Sequence, residues 1–159
     1  MKRRTLALGL PVLLAQCAPS GCGPLGGHAP FAFTSTVVEV IDGDSVLIDG
    51  QTTPIRIIGA DTPAAGHCGY DEARAAMEEL VLGKTVVVSN GAANTDVSLD
   101  GQSLRYLDVD GVDAGREMIA RGLAITSSEA RDGYASHLRQ DDYLAVAAAS
   151  PGPDSACFD

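Results

Sequence analysis

A chain of 159 residues has room for one domain beyond an export segment and excludes two full domains. Its net charge is −10, and residues 1–16 carry three positive charges and no negative one, so the remainder stands at −13, three below the whole. Nucleic-acid affinity rests largely on Lys and Arg neutralising phosphates. The remainder holds a single lysine, Lys84, and scattered arginines, which disfavours a general DNA- or RNA-binding surface.

Residues 1–17 begin with Lys2, Arg3 and Arg4 and continue as the apolar run "LALGLPVLLAQ" up to Cys17. This is the layout of a secretory signal peptide, and the run is too short for a comfortable membrane span. The expected destination is the periplasm or the exterior, with no transmembrane helix left after processing. Two routes stay open at the junction: lipidation of Cys17, which would anchor the chain to a membrane, or ordinary cleavage close by. Residues 18–33 are rich in Gly and Pro and read as a tether, which leaves 34–159 as the folded domain.

Within that domain "STVVEVID" and "SVLIDG" are short β-branched runs, and Asp49-Gly50 is a hairpin signal leading to "TTPIRIIGA". Three antiparallel strands are therefore expected first. Ala73, Met77, Leu80 and Val81 then recur at helical spacing over 71–82, with Gly83 placed to end the helix. "KTVVVS" and "SLRYLDV" return to strand character, and Asp110-Gly111 marks a second tight turn. A short helix is expected over 114–121 and a last one over 134–149, ended by "SPGP". Five strands with a helix between the third and fourth describe an α+β, mainly β, fold: a five-stranded OB-fold barrel with three helices.

Cysteines stand at 17, 22, 68 and 157. The first two lie at the export junction. Cys68 and Cys157 either form one disulfide, tying the C-terminal tail to the loop before the first helix, or remain two thiols.

The stretches "VIDGDSV", "IRIIGADTP", "ARGLA" and "HLR" resemble, in the same order and at similar spacing, the staphylococcal nuclease (thermonuclease) family over residues 37–149. The resemblance implies the same barrel and a calcium-dependent phosphodiesterase site. Asp44 and Asp61 fall on the family's calcium-binding aspartates, with Thr62 as a carbonyl ligand and Asp42 as a nearby carboxylate. Arg56 falls on the first phosphate-binding arginine. These residue types suit the chemistry: a hard cation wants several oxygens, and a phosphate wants planar guanidinium donors. Such a site would act on nucleic acid or a nucleotide.

The resemblance also exposes two losses. The family's glutamate directly after "DTP" is here Ala64, which can neither accept nor orient a proton. The second arginine position falls on Gln102, a neutral amide. Arg105 lies three residues on, and along a strand that offset points to the opposite face. His67, Asp71 and Glu72 follow Ala64 as alternative proton acceptors, although acidic residues in a first helical turn are accounted for by the helix dipole alone.

The retained stretches have a plainer reading as well. "DGD" and "DTP" are good turn sequences, since Asp bonds nearby backbone and Gly allows positive φ. Three clustered aspartates repel one another, which favours either a bound cation or an ion pair with Arg56. Other signals fail. "LGKT" has Glu78 where a phosphate loop needs its first glycine and ends a helix rather than following a strand, "DVDGVD" lacks the closing glutamate of an EF-hand, and His67, Cys68 and Cys157 lack a fourth zinc ligand. Two functions are therefore expected in competition. One is a phosphodiesterase-type site, with Ca2+ as its cofactor, that has lost most of its activity; the other is a non-catalytic OB-fold binding or interaction module of the cell envelope.

Overall fold

The computed structural model describes residues 31–91, 97–98, 101–127 and 136–158. The expected export segment and most of the tether, with Cys17 and Cys22, lie outside the described residues.

Strands β1 (Ala32–Val40), β2 (Ser45–Ile48) and β3 (Ile55–Ile57) form the antiparallel series expected from their β-branched runs. β1 begins two residues earlier than expected, because Ala32 and Phe33 pair with Ser89 and Val88 at the end of the barrel's fourth strand. The register of β1 shifts between Val37 and Glu39. Residues before the shift pair with that fourth strand and those from Val37 onward with β2, so one long strand bends to serve two neighbours. The segment expected as a single third strand is split. Gly59, at φ +78°, separates β3 from the two-residue strand β4 (Ala60–Asp61).

Helix α1 (Tyr70–Val81) follows β4 and buries Ala73, Met77 and Val81 along one stripe. Its end is set by Gly83, whose φ of +72° suits the residue just past a helix and whose N–H donates to the Val37 carbonyl at 2.9 Å. Next come β5 (Thr85–Ser89), the fourth barrel strand, and β6 (Ser103–Val109). β6 pairs antiparallel with β5 and parallel with β3, Ile55 facing Ser103 and Ile57 facing Arg105, and this parallel pairing closes a five-stranded mixed barrel. Asp110 and Gly111, both at positive φ, make the tight turn from β6 to β7 (Val112–Asp113). Helix α2 (Ala114–Ala120), strand β8 (Ile125–Thr126) and helix α3 (Gln140–Ala149) complete the domain, an OB-type barrel with three helices. The barrel interior is filled by alternate residues, as in β5, where Val86 and Val88 are buried between exposed Thr85 and Val87.

Among the described residues, α3 starts at Gln140, later than the 134 its apolar content suggested, because residues 137–139 are used for something else. His137 is buried, with Nδ1 2.9 Å from the Tyr106 hydroxyl. Burial pushes its pKa below the usual imidazole range, and the nearby Asp113 only partly opposes this. Arg139 makes two parallel bonds of 2.8 Å to the Asp108 carboxylate and a third of 2.7 Å to Asp113, with its guanidinium 4.3 Å above the Tyr106 ring. The Tyr143 hydroxyl donates to the same Asp113 at 2.8 Å, and Asp113 accepts the Arg116 N–H that caps α2. This network ties the β6–β7 hairpin, α2 and α3 into one block.

The block also reaches β4. A Cβ on Gly59 would lie 2.3 Å from His137 Nε2, so the imidazole rests directly on the Gly59 backbone. Gly59 to Ala should therefore destabilise the domain by more than about 2 kcal/mol, combining a left-handed backbone cost of about 1–2 kcal/mol with displacement of a buried ring. Chemical denaturation checks this, and a Gly50 to Ala control, at similar φ but in open space, should show the backbone cost alone.

Candidate functional site

The turn after β1 is built around Asp44. The Asp42 side chain accepts the Asp44 N–H at 3.0 Å, folding the turn on itself, while Ile41 N–H donates to the Ser45 carbonyl at 2.9 Å. Gly43 does not serve here by positive φ, contrary to the expectation for "DGD". Its role is close approach: a Cβ would lie 2.8 Å from both Ala73 of α1 and the Thr62 side chain. Helix α1 holds the turn from outside, with the Tyr70 hydroxyl donating to the Ile41 carbonyl at 3.2 Å and Arg74 Nε to the Val40 carbonyl at 3.3 Å.

Asp44 itself is 2% exposed, and its carboxylate has three polar partners. Ser45 Oγ donates to Oδ1 at 3.0 Å, the Thr62 N–H donates to Oδ2 at 3.0 Å, and Arg56 Nη2 lies 3.2 Å from Oδ2. Arg56 reaches Asp44 because β2 and β3 place it directly opposite Ser45. The same Nη2 is hydrogen-bonded to Asp61 Oδ1, so one guanidinium bridges the two aspartates. Asp61 is held in turn by pairing with Ile125 of β8. Burial pushes the Asp44 carboxyl up to about 7; Arg56 opposes this, Asp42 adds to it, the Thr62 N–H opposes it and Asp61 adds to it. Burial outweighs the ion pair.

These groups form the charged floor of an open cavity of about 400 Å³, to which Asp42, Asp44, Arg56, Asp61 and Thr62 contribute. Its wall is Pro63, Ala64, His67 and Phe158. The His67 N–H donates to the Ala64 carbonyl at 3.0 Å, a turn that places both residues on the cavity's lining. Cys68, the next residue, is disulfide-bonded to Cys157, with Cα atoms 5.0 Å apart, which answers the question the cysteine positions left open.

The other expected residues lie elsewhere. Asp71 and Glu72 stand exposed in the first turn of α1 and do not line the cavity. Gln102 precedes β6, its backbone bonded to Ser98, and is absent from the cavity wall. Arg105 lies over the Phe31 ring at 5.0 Å with Nη1 donating to the Leu104 carbonyl, and it too is absent from the cavity's lining. Phe158 was missed by sequence reasoning; its sole signal was its place next to Cys157.

The donor set of Asp42, Asp44, Asp61 and the Thr62 carbonyl is all oxygen, the chemistry a hard cation requires. Arg56 stands between Asp44 and Asp61 and supplies the positive charge in this arrangement. Among the described residues no group of three or more His, Cys, Asp or Glu side chains is arranged to hold a metal ion. The donors fit by type, and a cation would require Arg56 to turn outward.

Barrel and cavity define an OB-type domain with a carboxylate–guanidinium site on its surface. Compared with protein-family models the chain matches none, and no curated protein matches it. Among the described residues no helix is long and apolar enough to cross a membrane.

The raised Asp44 pKa makes stability depend on pH. The unfolded chain ionises this group near 3.8 and the folded chain near 7, so between those values the folded state binds more protons. In chelator-treated buffer its contribution is therefore full below about pH 4 and is lost as pH rises through about 7. Denaturation at pH 5 and pH 8 should show this fall in the native protein and a flatter profile in Asp44 to Asn, whose amide does not ionise.

Proposed function

We propose that this is an exported domain of the thermonuclease type whose site keeps a cradle for phosphate and has lost most of the machinery for cutting it. The observation that carries this reading is Arg56 held between Asp44 and Asp61 beside a wall position, Ala64, that bears no proton acceptor. An anionic phosphate competes with Asp61 for the exposed side of Arg56, which is 34% accessible. With the guanidinium drawn outward, Asp44, Asp61 and the Thr62 carbonyl would hold a hard cation such as calcium. Such a cation supplies positive charge against phosphate oxygens.

Arg56 then orients the ligand, and Asp42 fixes the turn that carries Asp44. Loss of a positioned base costs about 10²–10⁴ in rate, and loss of the charge-stabilising donor that the resemblance sets at Gln102, a residue outside the cavity's lining, about 10²–10³. Together they leave at most weak hydrolysis. Residues 1–17 are read as the export signal, with lipid at Cys17 as the anchored form.

A second reading, a binding module that does no chemistry, is favoured by one observation: the carboxylates of Asp44 and Asp61 are already matched by Arg56, so the site needs neither cation nor phosphate for an ionic partner. Its partner would be a basic surface, given the acidic chain.

Hydrolysis of single-stranded DNA and RNA, with calcium and with chelator, separates the readings when the native protein is assayed beside an Ala64 to Glu, Gln102 to Arg double variant. Turnover that is at background in the native protein and at least about tenfold higher in the double variant is expected. Strong chelator-sensitive turnover in the native protein would overturn the loss of chemistry. Silence from both, with no calcium-dependent rise in melting temperature, would favour the binding module.

A further inference from the structure

The wall residue Phe158 belongs to the C-terminal tail, and the way it gets there gives it a role. After α3 the tail runs over the surface: Pro151, Gly152 and residues 154–156 are exposed, and Pro153 is half-buried. A single 3-10 turn, Ser155–Cys157, is capped by Asp154, whose side chain accepts the Ala156 N–H at 3.0 Å. Cys157 is the buried residue of this tail, 8% exposed, and its bond to Cys68 spans 89 residues of chain. Cys68 lies directly after His67, so the bridge fastens the tail to the cavity's own wall. Phe158, half-buried, then lines the same cavity as Arg56 and the aspartates.

A cavity with a guanidinium at its base and an aromatic ring on its wall suits a ligand that is anionic at one end and planar at the other. We propose that Phe158 is a specificity residue of this cavity, a stacking face for the planar ring of a phosphate-bearing ligand, held in position by the Cys68–Cys157 disulfide. This rests on the phosphate-binding reading above and adds what selects among phosphates. The ring offers a flat surface to any base, so selection is for the presence of a ring rather than for its identity. Pro151 and Gly152 rest against Gly122, but Phe158 follows directly on the bridged Cys157, so the stacking face depends on redox state. A dithiol reductant supplies two electrons and two protons, converting the bridge into two thiols and itself into a disulfide. Phe158 then loses its covalent tie to the cavity wall, and the contacts among Asp44, Arg56 and Asp61 do not involve the bridge.

The test uses two probes, thymidine 5′-monophosphate and 2-deoxyribose 5-phosphate, which share the phosphate and sugar and differ in the ring. Titration calorimetry on the full protein should show the nucleotide bound about 5- to 100-fold more tightly than the sugar phosphate. In Phe158 to Ala that ratio should fall to about one with sugar-phosphate affinity unchanged, and Phe158 to Tyr should restore it. A Cys68 to Ser, Cys157 to Ser variant, shown by its melting curve to be folded, should behave as Phe158 to Ala does, and so should the native protein in reductant. A ratio that survives in Phe158 to Ala, or sugar-phosphate binding without any preference for the nucleotide in the native protein, would overturn the proposal while leaving the phosphate cradle standing. Failure of both probes to bind the native protein would overturn the cradle itself, and the specificity role with it.

Discussion

A carboxylate placed where water scarcely reaches it must be satisfied by the protein, and Asp44 imposes that constraint on the whole of this site. Moving an unpaired charge from water into a protein interior costs several kcal/mol, about the scale of a domain's net stability. The surrounding architecture meets the cost with three donors drawn from three separate elements: the Ser45 hydroxyl on β2, the Thr62 amide after β4, and the Arg56 guanidinium on β3. Each is delivered by a feature of the barrel. The β2–β3 register sets Arg56 against Ser45, the break at Gly59 lets the chain turn so that Thr62 returns to Asp44, and Gly43 lets the turn approach α1 and Thr62 without a clash. Even so the carboxyl remains shifted toward its protonated form, because burial outweighs the pairing with Arg56.

The second polar cluster, around Asp113 and Arg139, is the counterweight that makes the first one hold its shape. Arg139 satisfies two carboxylates at once and covers Tyr106, while His137, neutral through burial, sits on the backbone of Gly59. Strand β4 is two residues long, and its pairing with β8 is too short to fix Asp61 alone. Contact of His137 with the glycine before β4 supplies the missing restraint. In this way the C-terminal third of the chain, remote in sequence from Asp61, decides where Asp61 stands.

Local signals in the sequence were reliable where the backbone had little choice. Asp110-Gly111 adopts positive φ at both residues as a tight hairpin demands, Gly83 ends α1, and the spacing of Ala73, Met77 and Val81 gave the buried face of that helix. An ion pair of Arg56 with the clustered aspartates was one of two outcomes that their mutual repulsion left open. Expectations weakened where a tertiary contact overrode a local tendency. The last helix starts at Gln140 because His137 and Arg139 turn inward to partners on β6 and β7, and the third strand divides because His137 requires a glycine beneath it.

The sequence by itself determined most of the barrel's strands, the Asp110-Gly111 turn and the buried face of α1, and it set Asp42, Asp44, Arg56, Asp61 and Thr62 within one short stretch, because these follow from residue type and short-range spacing. Tertiary structure alone decided that Arg56 bridges two aspartates, that His67 lines the cavity while Asp71 and Glu72 do not, and that a disulfide carries Phe158 to its wall. Those outcomes depend on how burial is shared among segments far apart in the chain, and no local pattern records that.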